Sequence, residues 1–170
     1  PEQALLLARA FWPGPLTLLL PKKNSIPDLV TSGLERVAVR IPNHPLTLEL
    51  LKSLSYPLAA PSANPFGYIS PTTAQHVADQ LGKDIEYILD GGPCEVGVES
   101  TIVGWENGIA TVMRVGGLSI EAIEHIIGPV NVQTVSSSNP AAPGMLKSHY
   151  APKITMILGN IDALISEHTG

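Results

Sequence analysis

Cysteine is nearly absent: one residue, Cys94, occurs in 170. That excludes an internal disulfide framework and a multi-cysteine zinc site, and it fits a reducing cytosol. Charged residues make up 15% and aromatic residues 5% of the chain, with a formal charge of −5. A broad nucleic-acid-binding face with stacking rings is therefore disfavoured, although a local basic site is still compatible with the balance. No apolar run approaches the length of a membrane span, and no signal-peptide pattern opens the chain. The five histidines are scattered, without HExxH or any ligand spacing, so no dedicated transition-metal site is expected. Walker-A and GxGxxG loops are absent too, which removes the standard nucleotide motifs.

What is present is a globular composition, 44% hydrophobic, and enough length for one domain with a real core and an extra piece attached. Ala4, Leu7, Ala8 and Phe11 fall at helical spacing, which predicts a helix over residues 2–11. "WPGPLTLLLPK" breaks it and runs into an apolar strand. "RVAVRIP" (36–42) predicts a second strand, followed by a helix from about Pro45 to Leu54, and "YPLAAPS" (56–62) a third strand. The next helix has Ser70 as its expected cap, Pro71 in its first position, Ala74, Val77, Ala78 and Leu81 as its apolar face, and Gly82 as its stop. "IEYILDGG" (85–92) reads as a strand, and "STIVGWENGIATVMRVGG" as two strands joined at Glu106-Asn107-Gly108. Ser119 should cap a helix to Ile127, and "VNVQTV" adds a further strand. "SSSNPAAPG" has the composition of a linker, after which Ile154–Leu158 and Ile161–His168 read as a strand and a helix. The chain opens without Met inside one helical pattern and stops inside another, so a piece of a longer polypeptide is expected.

Short strands alternating with helices and hairpins argue for an open, mixed α/β sheet, whose ligands gather at strand ends. Ordinary turn chemistry accounts for Ser62 and Asn64; the alternative is a hydroxyl, an amide and backbone N–H groups converging on an anion. Arg40 and Arg114 both stand at strand ends ahead of turn residues, as solvated ends or as clamps for a carboxylate. Cys94 reads as a packed thiol, and Glu95 and Glu99 as solvated or structural. Lys147, His149 and Tyr150 form a cationic and aromatic cluster, which either docks on the surface or closes as a lid.

Taken in order, "FWPGPLTLLL", "VAVRIPNHP", "PSANPFGYISPTTAQHV", "LDGGPCEVGVESTIV", "RVGG" and "PGMLKSHYAPK" resemble the Sua5/YrdC/YwlC family of threonylcarbamoyl-AMP synthases, in its two-domain Sua5 type. The resemblance implies a partial YrdC-like open twisted mixed sheet with flanking helices over 1–133, an interdomain linker or lid over 134–152, and the beginning of an α/β Sua5 domain over 153–170. It implies a cytoplasmic nucleotidyltransferase that joins L-threonine, bicarbonate and ATP, with Mg2+, into L-threonylcarbamoyladenylate and pyrophosphate. A threonylcarbamoyl transferase complex would then act on adenosine 37 of tRNAs reading ANN codons.

By the same resemblance, Arg40, Ala60 and Ser100 would hold L-threonine. Ser62, Asn64, Ser70, Arg114 and Tyr150 would serve ATP. No covalent nucleophile and no protein-held metal are implied, only positioning by Arg40 and Arg114. Two departures stand out. A basic Lys-x-Arg element found in an N-terminal portion of the family is missing, so this chain alone is expected to be inactive. Arg36 stands where a small hydroxyl residue often contacts ATP. The alternatives are a YrdC-like double-stranded RNA-binding module and a carbamoyl-transfer domain of the hydrogenase-maturation kind.

Overall fold

The computed structural model describes residues 1–133, 157–160 and 164–165. Helix α1 (Glu2–Phe11) buries Ala4 and Leu7, the face expected from their spacing. Strand β1 (Leu16–Pro21) follows, then a one-turn helix α2 (Asp28–Thr31) that the sequence pattern did not announce. Strand β2 (Arg36–Val39) and helix α3 (Pro45–Ser53) come next, then helix α4 (Ala74–Leu81). Strands β3 (Thr101–Glu106) and β4 (Ile109–Arg114), helix α5 (Ile120–Ile127) and a two-residue strand β5 (Asn131–Val132) complete the described elements.

The strands form one five-stranded mixed sheet in the order β2-β1-β3-β4-β5. β1 lies antiparallel to β2 and parallel to β3, while β3 and β4 form an antiparallel hairpin. The hairpin turn has φ of 52° at Asn107 and 82° at Gly108. Two consecutive left-handed residues suit a two-residue turn whose twist matches the strands, and Asn-Gly is the pair that adopts it most readily.

One sheet face is closed by α1 and α5. Leu7, Leu16, Leu18, Val103, Val112 and Ile123 meet there, all 0–1% exposed. Each such side chain contributes about 1.5–3 kcal/mol on burial. Gln3 ties the layers together, accepting from Trp105 Nε1 (3.0 Å) and donating to the carbonyl of Ile127 (3.3 Å). Leu19, Ile102 and Met113 form a smaller cluster on the opposite face. Among the described residues, no helix is long and apolar enough to cross a membrane.

Three expectations need correction. The runs 56–62 and 85–92 are in no strand; Leu58 and Leu89 are exposed and Tyr87 is 87% exposed. An apolar run acquires strand structure only through a ladder partner, and no described strand lies beside either run. The cap of α4 is Thr73 and not Ser70: Thr73 Oγ1 accepts from the amide of His76 at 3.2 Å, and Pro71 lies outside the helix. Ser119 does cap α5, accepting from the amide of Ala122 at 3.2 Å. Tyr150, the linker at 134–152 and most of the segment after it lie outside the described residues.

Candidate functional site

β1 and β3 run parallel, so the start of β1 and the residue preceding β3 lie side by side at one edge of the sheet. Ser100 stands there, 4% exposed, immediately before Thr101 opens β3. Its hydroxyl is 2.7 Å from Thr17 Oγ1 and accepts from Arg114 Nη2 at 3.2 Å. Arg114 Nε also donates to the carbonyl of Ser100 at 3.1 Å.

Arg114 reaches Ser100 because the ladder is irregular. Val103 pairs with Val112, yet Ile102 pairs with Arg114, so Met113 is an extra residue in β4. Cross-strand partners share a face, and a bulge of this kind re-aims the side chain beyond it. In an unbroken ladder, Arg114 would alternate onto the helix-covered face with Val112. The extra residue places it instead on the face of Ile102, where Thr17 also lies by its pairing with Ile102.

The turn after β4 is held against the same edge. Thr101 Oγ1 donates to the carbonyl of Leu118 (2.6 Å) and accepts from the amides of Gly116 (3.0 Å) and Leu118 (3.1 Å). A Cβ at Gly116 would lie 2.3 Å from the carbonyl oxygen of Glu99, so this close approach requires glycine.

A cleft of about 460 Å³ opens over this edge, lined among others by Arg40, His44, Ser70, Glu99 and Ser100. A second hollow of about 420 Å³ shares Arg40, Ser70 and Glu99 with it and adds Ser62. Volumes in this range suit a small ligand. Arg40 lies just beyond the last residue of β2 and makes no hydrogen bond or ion pair among the described residues. Its side chain reaches solvent, but partial burial of the guanidinium, and then the charge of Arg114, pull its pKa below the ordinary arginine value. The positive charges of Arg40 and Arg114 repel one another, and an anion near Arg40 would relieve that repulsion.

The remaining expected residues are distributed unevenly. Ser70 lines both hollows and donates to Glu99 Oε1 at 2.5 Å. Ser62 lines the second hollow only. Asn64 spends its amide on its own loop, donating to the carbonyls of Pro65 (2.9 Å) and Tyr68 (3.2 Å), and neither Asn64 nor Ala60 is among the residues lining the cleft. Arg36 is engaged elsewhere, in an ion pair with Glu106 at 2.8 Å. His44, which the sequence reading passed over, holds the wall: its Nε2 is 3.2 Å from the carbonyl of Gly91, so Nε2 carries the proton. Thr17 was passed over as well. Its one signal was a hydroxyl inside the apolar run "LTLLL".

Fold and cleft together define a mixed-sheet α/β protein with a polar cleft at its strand ends, lined by Arg40, Ser70, Ser100 and the carboxylates of Glu95 and Glu99. The Sua5_yciO_yrdC family model, described as "Telomere recombination", matches residues 1–116, and the model "Threonylcarbamoyl-AMP synthase, C-terminal domain" matches residues 118–168. The chain belongs to the Sua5/YciO/YrdC family. It is 45% identical over 162 residues to the threonylcarbamoyl-AMP synthase of Pyrococcus abyssi, covering 93% of this chain and 48% of that relative. To the Bacillus subtilis threonylcarbamoyl-AMP synthase it is 49% identical over 156 residues, covering 89% of this chain and 45% of the relative. The crystal structure of P. abyssi Sua5 complexed with L-threonine superposes with a TM-score of 0.85 at 46% identity, covering 89% of this chain and 46% of that one. The chain thus spans about half the length of the curated relatives it matches.

Proposed function

We propose that the protein containing this chain is an L-threonylcarbamoyladenylate synthase. The cleft lined by Arg40 and by Ser100, whose hydroxyl is held by Arg114, carries the reading, in a chain 45–49% identical to curated synthases. Arg40 and Ser100 hold L-threonine, and Ala60 is assigned to the same substrate by family resemblance alone. Ser62, Asn64, Ser70, Arg114 and Tyr150 serve ATP. The threonine amine combines with bicarbonate to form a carbamate and release water, a carbamate oxygen attacks the α-phosphorus, and pyrophosphate leaves with the electron pair of the broken P–O bond. No side-chain nucleophile is required. Catalysis rests on alignment and on donors that stabilise phosphoryl charge.

The cleft offers the Arg40 guanidinium, the Ser70 and Ser100 hydroxyls and the carboxylates of Glu95 and Glu99. Magnesium would enter with ATP on its phosphate oxygens and neutralise charge there. The product would pass, in the cytoplasm, to a transferase complex acting on tRNA.

The test is pyrophosphate release by a polypeptide of the relatives' full length. Release should require ATP, L-threonine and bicarbonate together, and the 170-residue chain alone should give none. Release that ignores threonine, or that runs on carbamoyl phosphate in its place, would overturn the assignment.

A further inference from the structure

Thr17 is 8% exposed in a strand otherwise built of leucines and proline, and its hydroxyl has one partner among the described residues, the hydroxyl of Ser100 at 2.7 Å. Which of the two donates follows from counting protons. Arginine only donates, so Ser100 Oγ already accepts from Arg114 Nη2. If Ser100 donated to Thr17, the Thr17 proton would be left buried with no described acceptor, a costly arrangement. If Thr17 donates, its proton is satisfied and both acceptor positions of Ser100 are filled, by Thr17 and by Arg114. The Ser100 proton is then the free one, in a residue that lines the cleft beside Arg40.

We propose that Thr17 is a positioning residue. By donating to Ser100 it turns the Ser100 hydroxyl into an obligate donor toward the carboxylate of the bound amino acid. Toward an anionic group the cleft then presents two donors, the Arg40 guanidinium and the Ser100 hydroxyl, with Arg114 bonded to Ser100. The inference rests on the reading of Ser100 as an L-threonine contact.

It is tested in the full-length protein by steady-state pyrophosphate release and by calorimetric binding of L-threonine. Thr17→Val keeps the shape and removes the donor. It should raise the KM and Kd for L-threonine about tenfold, as expected for losing one charge-assisted hydrogen bond. kcat and the KM for ATP should stay within about twofold, because substrate binding is affected and not the chemical step. Thr17→Ser should restore the wild-type KM. In a Ser100→Ala background, Thr17→Val should add nothing further, because its effect passes through Ser100.

An unchanged KM in Thr17→Val, a Thr17→Ser as weak as the valine variant, or a full additional loss in the Ser100→Ala background would each overturn the proposal. The synthase reading would survive all three. A wild-type protein that neither binds nor turns over L-threonine removes both. If Thr17→Val loses its near-ultraviolet circular dichroism, Thr17→Ala is judged by the same criteria.

Discussion

Arg40, Arg114 and Ser100 announced themselves as polar residues at strand ends, where an open α/β sheet presents its ligands. Thr17 did not, because threonine is an ordinary strand former and one hydroxyl in an apolar run reads as surface or packing. Its importance arises only when parallel pairing brings Leu16–Leu18 beside Thr101–Val103. Gly116 illustrates the same limit from the steric side. "RVGG" suggests a flexible turn, yet Gly116 is needed for contact: a Cβ would meet three backbone atoms of Glu99, Ser100 and Thr101 within 2.7 Å. Backbone cannot yield as a flexible side chain can. Gly116→Ala is therefore expected to destabilise the fold by about 1–3 kcal/mol, the usual range for overpacking. Urea denaturation followed by fluorescence of Trp105 would report it, and a midpoint equal to the wild type would refute the steric argument.

Elements differed in how far local pattern could carry them. Helices α1 and α5 were readable because a helix satisfies its own backbone, so periodicity suffices for α1 and periodicity with the Ser119 cap for α5. The hairpin β3–β4 was readable because Asn107-Gly108 supplies the left-handed turn by itself. The runs 56–62 and 85–92 carry the composition of strands, but nothing local can report whether a neighbouring strand exists to pair with them. The displaced cap of α4 has a similar cause. Ser70 and Thr73 both suit the role, and Ser70 is drawn away to Glu99. The bulge at Met113 was invisible, since a register offset belongs to the pair of strands and not to either sequence. Gly108→Val places a β-branched residue at a φ of 82° and should cost about 1–3 kcal/mol. Thermal melting monitored by circular dichroism would measure this; an unaltered melting temperature would mean that the turn is not held in that conformation.

Across the whole molecule, polar and apolar surfaces are divided unequally. One sheet face is closed by α1 and α5, while Leu58, Phe66, Ile69, Tyr87 and Leu89 stand exposed among the described residues. An apolar surface of this kind is expected to bind hydrophobic dyes and to drive association. The 170-residue polypeptide should therefore enhance anilinonaphthalene sulfonate fluorescence and sediment with a concentration-dependent mass. A dye-silent monomer at all concentrations would contradict that expectation.

The Asn107-Gly108 hairpin has a kinetic consequence as well. Ser100 and Arg114 are separated by 14 positions, whereas Thr17 and Ser100 are separated by 83. Closing a short loop sacrifices little chain entropy, and hairpins form within about 1–10 microseconds. The serine and its arginine can thus meet while the rest of the sheet is still unassembled. Joining them to Thr17 must wait for β1 to arrive, so the cleft matures from its most local contact outward.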